Sequence, residues 1–241
     1  MHRFFIPQER IEGDKVCIKG KQALQIHNVL RAKPGQSLIV LDNTGFQYQI
    51  KLSSVDKNMV RGEIIDCSFC PNEPKVQVHL YQALLKGSKF EFVLQKCTEV
   101  GVASFTPMLC ERCVSRDIGK TRMSRWQTII TEAAEQSQRG KLPLLEPLLP
   151  FEKACDSAFG LSMLPWEEES ELGLKNVLRE RNATTINIFI GPEGGFSAQE
   201  VEFARSRGII PVTLGKRVLR AETAALVAVT LVLYECGELG S

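Results

Sequence analysis

The chain has 241 residues, 44% of them apolar and 24% charged, with a formal net charge of +2. That is the composition of an ordinary globular protein of one large domain, or of one medium and one small domain, and not of a disordered or fibrous chain. Charge is spread unevenly: residues 1–72 hold 10 Lys and Arg against 7 Asp and Glu, and residues 73–241 hold 20 against 21. A mildly basic first segment permits nucleic-acid contact without demonstrating it.

The first segment reads as short strands. Residues 36–42 (Q-S-L-I-V-L-D), 46–52 and 59–65 carry β-branched and aromatic residues between turn signals such as D-N-T-G at 42–45. A short helix is expected over 21–30. This pattern predicts a small barrel-like β domain over 1–72, followed by a linker at Pro71-Asn72-Glu73-Pro74.

Beyond Pro74 strands and helices alternate. Residues 76–85 read as a strand, and Ser88 with Glu91 as a capping box that opens a helix ending at Gly101. Next come a strand at 103–109, a helix at 122–138 with Trp126, Ile129, Ile130 and Ala133 on one face, a strand at 161–165 and a helix at 172–181. Residues 186–190 (I-N-I-F-I) are a strand. A second capping box, Ser197 with Glu200, opens a helix to about 207, a strand covers 209–214, and the last helix covers 221–236. Alternation of this kind predicts an α/β domain over 73–241, a parallel sheet with helices on both faces. The last helix is apolar nearly all round, so either its own domain or a second subunit must bury it.

The longest apolar run, 224–234, is too short to span a membrane. The opening M-H-R-F-F-I-P has no long apolar core, so the chain is expected in the cytoplasm with its eight cysteines reduced. Two C-x-x-C pairs, Cys67/Cys70 and Cys110/Cys113, raise the idea of a zinc site. Their separation far exceeds the usual spacing, and no metal is expected.

Ligands of open parallel sheets bind at the carboxyl ends of strands, where three loops are expected. The first begins Pro165-Trp166. The second is G-P-E-G-G-F at 191–196, and the third is L-G-K-R-V-L-R-A-E at 214–222. The second loop is neither G-x-G-x-x-G nor G-x-x-x-x-G-K-[ST], and Glu193 would repel phosphates. A carboxylate among free backbone groups suits a neutral or cationic ligand, such as the sulfonium of S-adenosylmethionine. The same glycines could equally make only a tight turn capped by Ser197. In the third loop Arg217, Arg220 and Glu222 precede an apolar helix, where Arg220 could pair with a carboxylate or contact a ligand.

The stretches I-G-P-E-G-G-F-S at 190–197 and R-V-L-R-A-E-T-A at 217–224, with Leu214-Gly215 before the latter, resemble the bacterial 16S ribosomal RNA uridine N3-methyltransferases, the RsmE type of the SPOUT superfamily. His27-x-x-Leu30-Arg31, Lys86-Gly87, Gln95-Lys96-x-x-Glu99 and Glu132-Ala-Ala-x-Gln136 add to the likeness, which covers nearly the whole chain. The resemblance implies a C-terminal trefoil knot, a PUA-like RNA-binding first domain and a homodimer joined through the C-terminal domain. It implies S-adenosylmethionine as cofactor, held by Leu164, Pro165, Ile190, Gly191, Pro192, Gly194, Gly195, Leu214, Gly215, Val218 and Leu219. It implies 16S ribosomal RNA of the small subunit as partner, met by Arg3, His27, Arg31, Lys33, Lys86 and Arg217. Methylation at N3 of uracil requires loss of the N3 proton or stabilisation of the resulting anion. Arg220 suits the second role, and Glu193 or Glu222 the first. A ribose 2′-O-methyltransferase of the same superfamily and a non-catalytic RNA-binding protein are the rival readings.

Overall fold

A computed structural model describes residues 1–114, 118–181 and 183–240. The chain forms two compact units. One comprises Met1–Glu73 with Ala134–Leu142, and the other Pro74–Ala133 with Pro143–Ser241. Residues 134–142, left in the second domain by the sequence reading, thus fold with the first.

The first unit is built on a six-stranded sheet. Its strands are β1 (Arg3–Phe5), β2 (Ile11–Glu12), β3 (Lys15–Lys19), β4 (Ser37–Leu41), β5 (Phe46–Val55) and β6 (Met59–Phe69). They run in the order β1-β4-β5-β6-β3-β2, with β1 parallel to β4 and the other pairs antiparallel. Alternation along the strands turns Val16, Ile18, Leu38, Val40, Ile50, Leu52 and Val60 into one core with Phe4 and Ile26. The expected helix at 21–30 is a short α1 (Lys21–Leu24) that continues as a single wider turn over Gln25–Val29. β1 and β3 escaped the sequence reading because each is short and flanked by charges.

The presumed linker is anchored rather than free. The Asn72 side-chain amide donates to the Gln138 carbonyl at 2.9 Å. The Glu73 carboxylate accepts from Arg139 Nη2 at 2.7 Å and from the amides of Gly140 at 2.8 Å and Lys141 at 3.2 Å. Arg139 is 4% exposed, so this ion pair is withdrawn from water.

The second unit holds a parallel sheet of β7 (Gln77–Ala83), β8 (Ser104–Leu109), β9 (Leu144–Leu145), β10 (Leu149–Pro150), β11 (Leu161–Pro165), β12 (Thr185–Ile190) and β13 (Ile210–Val212). The order is β10-β8-β7-β12-β11-β13, with β9 also paired to β8. Helices α2 (Lys89–Val100), α3 (Lys120–Gln136), α4 (Phe151–Ser157), α5 (Leu174–Arg179), α6 (Ala198–Ser206) and α7 (Ala221–Glu235) alternate with the strands. Strands covered on both faces are nearly all apolar, as I-N-I-F-I shows. The exception, Asn187, is buried and donates from Nδ2 to the Phe159 carbonyl at 2.8 Å and to Ser162 Oγ at 3.0 Å. Trp126 of α3 is fully buried and stacks on Phe90 of α2 with ring centroids 4.2 Å apart.

One expectation is corrected. Ser88 makes no side-chain cap, because its backbone (φ −87°, ψ 2°) is not in the extended conformation that aims a hydroxyl at the third amide. Glu91 pairs with Arg125 at 2.7 Å instead. Helix α7 is buried by its own chain along one face, through Ala225, Ala228, Val229, Val232 and Leu233, while Leu231 and Tyr234 stay exposed.

Burial alone would push the Glu73 carboxyl upward, but Arg139 and the two amides outweigh it and hold the group below the usual carboxylate range. Stabilisation from a depressed carboxylate is complete above its unfolded pKa and is lost as pH falls through the folded one. Glu73→Gln should therefore cost the first unit about 3 kcal/mol at neutral pH, since it removes the carboxylate charge from a buried ion pair. The difference between variant and wild type should shrink in acid, as read by urea denaturation at each pH.

Candidate functional site

Strands β12, β11 and β13 are neighbours in the sheet, so the loops leaving their carboxyl ends meet. Together they form a cleft that opens to solvent. From the first loop come Pro165, Trp166 and Glu167. From the second come Ile190, Gly191, Gly195 and Phe196. Thr213, Leu214, Gly215, Lys216, Arg217, Val218 and Leu219 follow from the third, with Ala221 and Ala224 of α7.

The glycine loop must be held by others, because it has few side chains of its own. Gly195 donates to the Pro192 carbonyl at 3.0 Å in a tight turn and has φ +68°, a conformation that costs little only for glycine. A Cβ on Gly191 would lie 3.2 Å from the Phe196 ring, so the backbone there is close-packed. Ser197 and Glu200 form the expected capping box, which fixes where α6 starts. Glu200 Oε1 also accepts the Glu111 amide at 2.8 Å, and Arg112 Nη1 donates to the Gly194 carbonyl at 2.8 Å. The Glu193 carboxylate leaves the cleft and accepts from the Lys86 amide at 3.0 Å and from Lys89 Nζ at 3.3 Å. Partial burial raises its proton affinity, but these donors win and hold the group below the usual carboxylate range.

The C-x-x-C stretch at 110–113 thus serves the site through its two middle residues. Cys110 and Cys113 are buried, with the Cys110 amide donating to Cys113 Sγ at 3.3 Å. Cys67 is exposed and Cys70 is buried, its thiol 3.6 Å from the Gln138 carbonyl. Among the described residues no group of three or more His, Cys, Asp and Glu could hold a metal ion.

In the third loop Gly215 has φ +117°, and the Gly215 amide donates to Thr213 Oγ1 at 3.1 Å. Val218 is 84% exposed on the rim of the cleft. Arg220 caps α7 through its backbone, its carbonyl accepting from the Ala224 amide at 2.8 Å, while its side chain is exposed. Glu222 sits in the first turn of α7 with Oε2 buried and without a hydrogen-bond partner.

Of the residues named from the sequence for a cofactor, Pro165, Ile190, Gly191, Gly195, Leu214, Gly215, Val218 and Leu219 line the cleft. Leu164 is a fully buried strand residue, Pro192 is buried and Gly194 is exposed, and these three are not among the residues that line it. Arg217, named for RNA, lines the cleft. Arg31 and Lys33 are exposed and His27 is half-buried, with Nδ1 2.8 Å from Asn28 Oδ1. Lys86 is exposed. Arg3 is the least accessible of these residues. It is 8% exposed because β1 is an inner-facing strand segment paired with β4, and its guanidinium lies 3.5 Å from Cys70 Sγ. Sequence reasoning missed Glu167, Phe196, Lys216, Glu111 and Arg112, and no local pattern marks the last two, whose partners lie more than 80 residues away.

Comparison with known proteins gives a consistent answer. A family model described as an RNA methyltransferase domain matches residues 72–233. The ribosomal RNA small subunit methyltransferase E of Synechocystis is 34% identical over 94% of this chain and 75% of its own length. Its namesake in Bacillus subtilis is 31% identical over 98% of this chain and 97% of its own. The crystal structure of the methyltransferase E of Neisseria gonorrhoeae, bound to S-adenosyl methionine, covers 97% of each chain at 30% identity with a TM-score of 0.89. The chain belongs to the ribosomal RNA small subunit methyltransferase E family.

Proposed function

We propose that the protein transfers a methyl group from S-adenosylmethionine to N3 of a uridine in 16S ribosomal RNA. The observation that carries this reading is the cleft itself, three loops closing on one space at the carboxyl ends of adjacent parallel strands. Its lining fits the cofactor. Ile190, Leu214 and Leu219 offer aliphatic walls for a flat base, and the bare backbone at Gly191 and Gly195 permits close approach. The glycine loop carries no lysine, and its one acid is turned away, so the loop is not built for phosphate. When bound, S-adenosylmethionine supplies an electrophilic methyl group on a sulfonium.

The chain's own groups then divide the remaining work. Target N3 is hidden in a base pair, so the uridine must be unpaired or flipped out. Arg220, exposed beside the cleft, stabilises the uracil anion as charge spreads onto its oxygens. Glu222, whose Oε2 has no partner, is assigned to the N3 proton. Glu193 is assigned to holding the loop, since a carboxylate with two donors is a weakened base. His27, Arg31, Lys33, Lys86 and Arg217 contact RNA phosphates. The exposed face of α7, with Leu231 and Tyr234, joins two copies into a homodimer. The return of the chain from β13 at the sheet edge to α7, which packs on α2, α5 and β7, supports the reading that the C-terminal segment is knotted. Among the described residues no helix is long and apolar enough to cross a membrane. The cytoplasm, where ribosomes are assembled, is the proposed place of action.

Two outcomes are expected. Small-subunit RNA from cells lacking the gene should lose 3-methyluridine, measured by mass spectrometry of nucleosides, and regain it on complementation. Loss of a 2′-O-methylated nucleoside instead would favour the rival methyltransferase. Gly195→Val should weaken S-adenosylmethionine binding in calorimetry at least tenfold, because a β-branched residue at φ +68° is strained and intrudes on the cleft, an effect of about 1–2 kcal/mol from backbone strain alone.

A further inference from the structure

We propose that Glu167 binds the α-ammonium group of the methyl donor's amino-acid end; this inference rests on the cofactor reading above. The loop after β11 is acidic, with glutamates at 167, 168, 169 and 171, but only Glu167 lines the cleft. Its carboxylate lies over Gly195, so close that a Cβ on that residue would collide with it.

Glu167 is aimed by the residues on either side of it. The Trp166 amide donates to the Val212 carbonyl at 3.0 Å, and the Trp166 ring lies 6.0 Å from the Arg205 guanidinium. Glu169 accepts the amides of Glu171 at 2.9 Å and Leu172 at 3.1 Å and faces Arg205 at 3.8 Å. Those contacts occupy Trp166 and Glu169 and leave the Glu167 carboxylate without a hydrogen bond or ion pair among the described residues. A carboxylate directed into a cleft by a fixed backbone, with no cation of its own, matches a ligand that brings one.

S-adenosylmethionine brings two positive groups, and chemistry chooses between them. An ammonium offers three N–H donors to an acceptor-only carboxylate, and a sulfonium offers none. Lys216 and Arg217, in the same cleft and in no ion pair among the described residues, supply the complementary charge for the donor's α-carboxylate.

The test is calorimetry on the full-length protein and its Glu167→Gln variant, with three probes. S-adenosylmethionine carries ammonium and sulfonium, S-adenosylhomocysteine only the ammonium, and 5′-methylthioadenosine neither. Loss of a charge-assisted contact predicts that the variant binds the first two at least about tenfold more weakly and the third within about twofold of wild type. Unchanged S-adenosylhomocysteine affinity would overturn the assignment in favour of the sulfonium. Equal weakening of all three would show that Glu167 only props the loop. No change with any probe would also overturn the proposal. A wild-type protein that binds none of the three would instead bring down the methyl-donor reading, and the inference with it.

Discussion

A glycine loop that is to cradle a ligand has to be rigid, yet it carries almost no side chains with which to fix itself. In this protein the rigidity is imported. Lys86 and Lys89 hold the Glu193 carboxylate, Arg112 holds the Gly194 carbonyl, and the Glu111 amide is tied to Glu200, which caps the following helix. These contacts come from the ends of β7 and β8, strands on the far side of β12 from β11. The cleft depends on that clamp. A mobile loop would pay the entropy of ordering on every binding event, about 1–2 kcal/mol per residue, and the bare backbone would lose the shape that lets a ligand approach.

Polarity within the cleft follows from the same economy of side chains. The glycine loop contributes backbone and the Phe196 ring. Charges come from the loops on either side of it, one carboxylate from the first and two cations from the third. The cleft thus combines one acidic and two basic side chains with an apolar lining, a combination that suits a zwitterion joined to a flat, uncharged ring system. A phosphate-bearing nucleotide would call for the reverse, with donors and cations on the glycine loop itself.

Much of this was legible in the sequence, because strands and loops of the α/β unit obey local rules. Residues 161–165 and the I-N-I-F-I run were read as strands with little error, and the Ser197 capping box is present as read. The same motif at Ser88 failed, since a capping box is a statement about backbone conformation and the residue types alone do not set φ and ψ. The burial of Arg3 was not legible, because a basic residue near a chain end is normally solvated, whereas here a three-residue strand carries it into the interior. Glu111 and Arg112 were hidden inside a C-x-x-C that drew attention to its cysteines. Glu167 lay among four glutamates that look alike in one dimension and are separated only by what their neighbours contact. Long-range partners of this kind leave no periodicity to find.

Everything proposed for the chemistry requires the methyl donor to lie in the cleft made by the loops after β11, β12 and β13. A crystal structure of this protein grown with S-adenosylmethionine tests it most directly. The account predicts the adenine against Leu214 and Leu219, the ligand backbone passing over Gly191 and Gly195, and an ammonium nitrogen within hydrogen-bonding distance of Glu167. Density for the donor anywhere outside that cleft would contradict it.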